Sequence, residues 1–330
     1  MRGVDLDLFD FDYDLTWMGF FLNADGTVYG RYGGRDADSA DSRVSLAGLR
    51  YALEAALTRH RARSYQLASP ARASLAGALG GQESKPPRTV EQYPAAQRLP
   101  ERACIHCHQV YDLRRQSLQA AGKWRLDELW VYPLPENIGL TLDVDRGDRV
   151  ARVAVDSPAA RAGIQAGDRL LTIDDRPIAS FADVQYALHR APARGKLTIT
   201  WQHDKETHRR ELPLAEGWRR TDISWRWSLR GVDPPPWVHG DDLSADEKKA
   251  LGLSARRLAF RQGPFVSEPA QRAGIRQNDI ILGVDGKLLE MSERQFGAYI
   301  RLNYRVGDRV VYNILRRGQR LDLPLILAAR

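Results

Sequence analysis

The feature that most constrains this chain is that its second half repeats itself. Pro158-Ala159-Ala160-Arg161-Ala162-Gly163-Ile164, closing on Gly167-Asp168, returns 111 positions later as Pro269-Ala270-Gln271-Arg272-Ala273-Gly274-Ile275, closing on Asn278-Asp279. After each copy come an apolar strand with an Asp-containing turn (Leu170–Asp175, Ile280–Gly286), a helix (Phe181–Arg190, Ser292–Leu302) and a strand hairpin (Leu197–Leu214, Arg309–Leu327). A unit that recurs only twice cannot stack into a solenoid, so the repeat predicts two tandem domains. Asn278 stands where the first copy has Gly167, an exchange that a left-handed turn tolerates.

The pattern Ser-Pro-Ala-Ala-x-Ala-Gly-Ile-x-x-Gly-Asp at Ser157–Asp168 resembles PDZ domains of the bacterial type, over residues 136–215 and 250–330. The resemblance implies two partly open β-barrels with two helices each, and an activity of holding peptide chain ends. A ligand strand would add to a sheet edge, its carboxylate would meet backbone amides in a tight loop, and its last side chain would enter an apolar pocket. Carried onto the first copy, the loop and strand are Ile138, Gly139, Leu140 and Thr141, continuing to Leu142, and the facing helix presents Phe181, Val184 and Leu188. Onto the second copy, the loop is Leu251, Gly252 and Leu253, Arg257–Phe260 is the strand, and Phe296, Tyr299 and Ile300 are helix positions. Neither copy reads as carrying a long insertion. Leu140, Leu188 and Ile300 read equally well as plain core. Such domains ride on exported serine proteases, but Gly-x-Ser-x-Gly is absent and the stretch before residue 136 is short for a double barrel. The chain therefore reads as not a protease.

Only two cysteines occur, three apart, in Cys104-Ile105-His106-Cys107-His108. That excludes a disulfide scaffold. Three chemistries share the spacing. Haem c would use Cys104 and Cys107 as thioether anchors and His108 as proximal ligand, with Met18, Met291, another His or nothing as the sixth. A dithiol redox pair needs the two thiols alone. Zinc or copper would take Cys104, His106, Cys107 and His108 as its candidate ligands.

The start of the chain reads as strand, turn, strand, helix. Trp17–Leu22 is an apolar run, Asn23–Gly26 a turn and Thr27–Tyr32 the returning strand. Leu46, Leu49, Leu53 and Leu57 fall on one face of a helix capped by Ser42 or Ser45. This β-β-α unit resembles the C-terminal half of a thioredoxin fold, without the proline expected before its first strand. Together with C-x-x-C-H and two PDZ copies, it is similar to a bacterial family named for thioredoxin-like and PDZ domains, some of whose members are selenoproteins. The resemblance implies that this sequence begins partway through a longer, exported protein; taken at face value, Met1 carries no leader and the chain reads as cytoplasmic.

The fold class expected is thus α+β. A thioredoxin-like β-β-α unit occupies 1–60, a linker 61–100, the C-x-x-C-H segment 101–135, one PDZ domain 136–215, a Trp/Pro-rich connector 216–249 and a second PDZ domain 250–330. Ala71–Leu79 reads as a short helix inside the linker. In the connector, Trp225 and Trp227 alternate with Ser224, Arg226 and Ser228 like a one-faced strand, and Trp218, Trp225, Trp227 and Trp237 read as sealing the two domains together. Residues 59–102 hold eight Lys/Arg against three Asp/Glu, without interleaved aromatics, so nucleic acid is not an expected partner. No apolar run is long enough to cross a bilayer. The function expected is peptide binding coupled to a redox centre in the cell envelope. The alternatives are a PDZ adaptor with a structural or metal-bound C-x-x-C, and a docked electron-transfer cytochrome.

Overall fold

A computed structural model describes residues 1–67, 87–100 and 102–330. The chain is a mixed α+β protein that divides into two compact units, Met1–Thr221 and Asp222–Arg330.

The first unit opens with a hairpin of β1 (Met18–Leu22) and β2 (Val28–Gly33). Gly26, at φ +82°, makes the turn, and its amide donates to the Asn23 carbonyl. Helix α1 (Leu46–Leu67) starts at Ser45, whose Oγ accepts from the Gly48 amide at 2.9 Å. The leucine stripe is not its buried face. Leu46 is 84% exposed, and Leu53 and Leu57 also point outward, while Gly48, Ala52 and Ala56 are buried. The reason is close approach: a Cβ on Gly48 would stand 2.5 Å from the Val144 carbonyl oxygen. Only a stripe of small residues lets α1 come that near.

The thioredoxin-like expectation fails on topology. β1 and β2 form a two-stranded sheet that pairs with no further strand among the described residues. The hairpin's anchor is a PDZ-region helix, described below.

The segment expected as linker is partly structured. α1 runs through to Leu67, and residues 87–100 place Val90, Tyr93 and Ala96 in an apolar cluster with Leu6, Tyr13, Ile105, Val110 and Leu113. The short helix expected over Ala71–Leu79 lies outside the described residues. Helix α2 (Gln109–Ala120) follows the cysteine motif.

The rest of this unit holds β3 (Leu140–Leu142), β4 (Val150–Val153), α3 (Pro158–Ala162), β5 (Arg169–Ile173), β6 (Arg176–Pro177), α4 (Phe181–Arg190), β7 (Gly195–His203) and β8 (Glu206–Leu214). β3 pairs with β4, and the other strands run β6-β5-β7-β8. Ser157 caps α3 and Pro158 opens it, which is the physical content of the Ser-Pro pair. Gly167, at φ +95°, turns the chain, and the buried Asp168 carboxylate closes that turn by accepting from the Gln165 amide at 2.8 Å.

The second unit holds β9 (Gly240–Asp242), α5 (Ala245–Ala250), β10 (Phe260–Gln262), α6 (Glu268–Arg272), β11 (Ile280–Val284), α7 (Glu293–Asn303), β12 (Arg309–Arg316) and β13 (Gln319–Ile326). Its sheet runs β13-β12-β11-β10-β9. The same turn device recurs: Asn278 takes φ +69°, and Asp279 accepts from the Arg276 amide at 2.7 Å. Its core centres on Phe260, Phe296, Ile300 and Tyr312.

Two connector expectations are corrected. Trp225–Trp227 is not a strand; a 3-10 turn spans Trp227–Gly231. Trp218 packs against the first unit's core and Trp237 against the second's, so each of these rings closes its own unit.

Candidate peptide-recognition cleft

In the first unit, the chain enters the cleft through a 3-10 turn, Pro135–Ile138, that ends on Gly139 at φ +91°. A Cβ there would lie 2.1 Å from the Ser157 side chain, so only glycine fits. The Gly139 carbonyl accepts from the Ala154 amide at 2.8 Å, and Leu140 and Thr141 pair with Val153 and Arg152 of β4. On its other edge, β3 has no strand partner among the described residues.

The expected site residues do come together. Ile138, Leu140, Phe181, Val184 and Leu188 belong to one cluster, with Gly139 buried and Thr141 half-buried beside them. They are not open to solvent: Ile138, Leu140, Val184 and Leu188 are 0% exposed.

These four are core residues, packed with Leu142, Val150, Leu170 and Ile173; it is another face of the helix that the chain itself covers. Along α4, Phe181, Gln185 and His189 form one face, four residues apart. A Cβ on Gly34 would meet the Phe181 ring at 2.5 Å, and the Arg43 guanidinium lies 5.0 Å from that ring's centroid. Gln185 Nε2 donates to the Tyr132 carbonyl at 3.1 Å, and the Tyr132 ring stacks on His189 at 4.1 Å. Arg43 is also a clasp, with Nε 2.8 Å from Asp36 and Nη1 2.8 Å from Glu136 at the cleft entrance. Burial opposes ionisation of Asp36. Hydrogen bonds from Ser42, the Ser39 and Asp38 amides and Arg43 outweigh it and hold the carboxyl below its usual range.

The hairpin docks on the adjoining face of α4. The Arg31 amide donates to Asp183 Oδ1 at 2.9 Å, Ser180 Oγ donates to the Arg31 carbonyl, and the Arg31 guanidinium sits 3.5 Å from the Tyr186 ring centroid. Arg59 of α1 comes within 4.0 Å of Asp183. Burial pushes the Asp183 carboxyl up to about 6, against the pull of Arg59, the Arg31 amide and charge, and the Ala179 amide. Sequence reasoning missed residues 33–43 and 132, because nothing local announces contacts across fifty to about a hundred and fifty positions.

In the second unit, β9 pairs with β10 as β3 pairs with β4. The Gly263 amide donates to the His239 carbonyl at 3.0 Å, matching Ala154 and Gly139, and Ser267 Oγ donates to the Trp237 carbonyl at 2.7 Å. The entrance loop is therefore Trp237–Gly240. The expected loop, Leu251, Gly252 and Leu253, instead ends α5: Gly252 takes φ +69° after the helix, and Leu253 packs beside Leu243, Ala259 and Leu282. The cause is an insertion. α5 stands between the two strands, and its Ser244/Glu247 capping box was the available signal. Phe296 and Ile300 are core residues, 1% and 0% exposed, and Tyr299 is half-buried at the rim. The α7 end of this cleft is also engaged: the Glu293 amide donates to Asp242 at 2.9 Å, and Arg301 donates to the Val232 carbonyl at 2.8 Å.

The cysteine motif lies away from these clefts. Cys104 is exposed and Cys107 half-buried, both as free thiols, and Cys107 Sγ lies 3.6 Å from Met1 Sδ. His106 and His108 stack on each other at 5.8 Å. Cys104 to His106 is irregular rather than helical, and Ile105 is buried in the N-terminal cluster. Among the described residues no group of three or more His, Cys, Asp or Glu is placed to hold a metal ion.

Against known proteins, the PDZ domain profile matches residues 149–203. The chain is 29% identical over 208 residues to a probable periplasmic serine endoprotease DegP-like of Pseudomonas putida, covering 59% of this chain and 40% of that protein. It is 23% identical over 184 residues to the periplasmic serine endoprotease DegP of Escherichia coli, covering 54% and 36%. The chain thus spans about two fifths of the length of these curated relatives. Among solved structures it resembles the HtrA-type protease AlgW with a decapeptide (24% identity, TM-score 0.23, 28% of each chain). It also resembles the HtrA3 PDZ domain bound to a phage-derived ligand (23% identity, TM-score 0.19, 23% of this chain and 63% of that one).

These findings correct two expectations. The reading that set proteolysis aside is overturned, because the curated relatives are serine endoproteases. The redox, thioredoxin-like and haem c readings conflict with the same relatives. What stands is a PDZ domain, a peptide-binding fold, in the first unit. Among the described residues no helix is long and apolar enough to cross a membrane.

Proposed function

We propose that this chain is the peptide-recognition part of a DegP/HtrA-type proteolytic system in the periplasm, with its first cleft gated by its own residues 33–43. One observation carries the reading. The unpaired edge of β3 begins at a glycine that only the αL conformation fits, while the helix opposite is capped by Gly34 and the Arg43 clasp. An edge strand and a glycine-lined loop are what an incoming chain end needs. The clasp decides when it is offered. Because the competent state is a fraction of the population, apparent affinity falls by that fraction.

The second unit reads as a second PDZ domain with its entrance at Trp237–Gly240. The shared strand pairing, the Ser267 cap and the Asn278-Asp279 turn support this. In the periplasm such a protein would hold chain ends and deliver them to cleavage.

The test is a titration with fluorescent peptides ending in a free apolar residue, against the same peptides amidated. Free ends are expected to bind and amidated ends to bind at least tenfold more weakly. Equal binding of both forms refutes the carboxylate loop.

A further inference from the structure

A separate cavity of about 300 Å³ opens in the second unit, on the face of the sheet that carries α5. In the β12–β13 hairpin, Leu315 stands opposite Arg320 and Asn313 opposite Asp322, so these four share one face. Leu253, following α5, and Leu282 of β11 supply an apolar floor, and Leu288, 84% exposed, forms the lip.

The charges around this floor are unbalanced. Arg257, Lys287 and Arg320 line it against Asp322 alone. Asp322 already accepts from Asn313 Nδ2 at 2.8 Å, and Lys287 is held by the hydroxyls of Tyr299 and Tyr304. Arg257 donates through Nη1 to the Leu289 carbonyl at 2.7 Å, which fixes its guanidinium at the cavity wall. Glu290, the nearby acid, is paired with Arg256 at 3.1 Å. Neither Arg257 nor Arg320 has a carboxylate within ion-pair distance among the described residues. Burial, and then the charge of Arg320, lower the Arg257 pKa, against the pull of Glu290.

We propose that this cavity binds the carboxylate of an apolar organic acid, with the acid's tail on Leu253, Leu282 and Leu288 and its anion between Arg257 and Arg320. Each guanidinium lining the cavity can present a planar fork of donors to a carboxylate. The volume is at the small end for ligand pockets and suits a tail the size of leucine or a medium acyl chain. The site is distinct from the strand-edge cleft and stands whether or not that cleft binds peptides.

The experiment is calorimetric titration of the whole chain with N-acetyl-leucine and with octanoate, each against its neutral amide. Saturable binding of an acid, at least tenfold tighter than its amide, is expected. Binding of N-acetyl-leucine alone assigns the site to peptide ends; of octanoate alone, to acyl chains; of both, to either source. Arg320→Gln, on an exposed strand position, is expected to weaken the acid at least fivefold with the melting temperature unchanged; Arg257→Gln, which also loses the hydrogen bond to the Leu289 carbonyl, is expected to weaken the acid at least fivefold. The proposal is overturned if acid and amide bind alike, if neither acid binds at millimolar concentration, or if Arg320→Gln leaves acid binding intact.

Discussion

Arg43 and Glu136, 93 positions apart in the chain, meet at 2.8 Å, and the same guanidinium lies over the Phe181 ring. One side chain thus joins the cleft entrance to the first turn of the helix opposite. Glu136 is largely enclosed, so losing Arg43 strands a carboxylate.

Arg43→Ala is therefore expected to loosen residues 33–43 before it loosens the fold. Hydrogen exchange should quicken at least tenfold across 33–43 and at Leu140–Leu142, with β7 and β8 unaffected. A uniform change across the first unit would place Arg43 in general stability instead.

Asp183 makes docking of the hairpin depend on pH. Its carboxyl titrates at about 6 when buried, above the ordinary 3.8, so the protonated form favours the docked state. That contribution is fully present below about pH 3.8 and is lost as pH rises through about 6. Peptide binding should then tighten between pH 5 and pH 7.5, by about tenfold at most on this single titration. Arg59 and Arg31 are the charged groups that face this carboxyl. Asp183→Asn should flatten the profile; a profile unchanged in the variant excludes Asp183 as its source.

Gly139→Ala places a methyl 2.1 Å from Ser157 at φ +91°. A loss of about 2 kcal/mol or more in unfolding free energy is expected. Gly252→Ala, at φ +69° with open space around it, should cost about 1 kcal/mol. Denaturant unfolding of the two variants compares them directly, and equal costs would contradict the packing described at Gly139.

In the second unit, a bound peptide should shift the amide resonances of His239 and Gly240 and leave Gly252 and Leu253 unmoved. The opposite pattern would restore the loop expected from the repeat spacing.

The repeat and the exchange of Gly167 for Asn278 were legible because each is a local backbone rule written in a few adjacent residues. The second cleft was misplaced because Leu251-Gly252-Leu253 copies the look of Ile138-Gly139-Leu140, whereas α5 is inserted after the true strand, Gly240–Asp242. The leucines of α1 misled for a different reason: hydropathy favours Leu46 and Leu53, but the nearness of the Val144 carbonyl requires the glycine at 48, and the face beside it is the buried one. The clasp itself was invisible, since Asp36, Arg43 and Glu136 are ordinary surface residue types until the fold brings them together.

The most direct measurement is the anisotropy of one labelled peptide with a free apolar C-terminus, titrated with the native chain and with the Arg43→Ala chain. Release of the clasp should raise affinity at least tenfold, and amidating the peptide should erase most of that gain. Equal affinity in the two chains, or a gain that amidation leaves untouched, would show that residues 33–43 do not guard a site for chain ends.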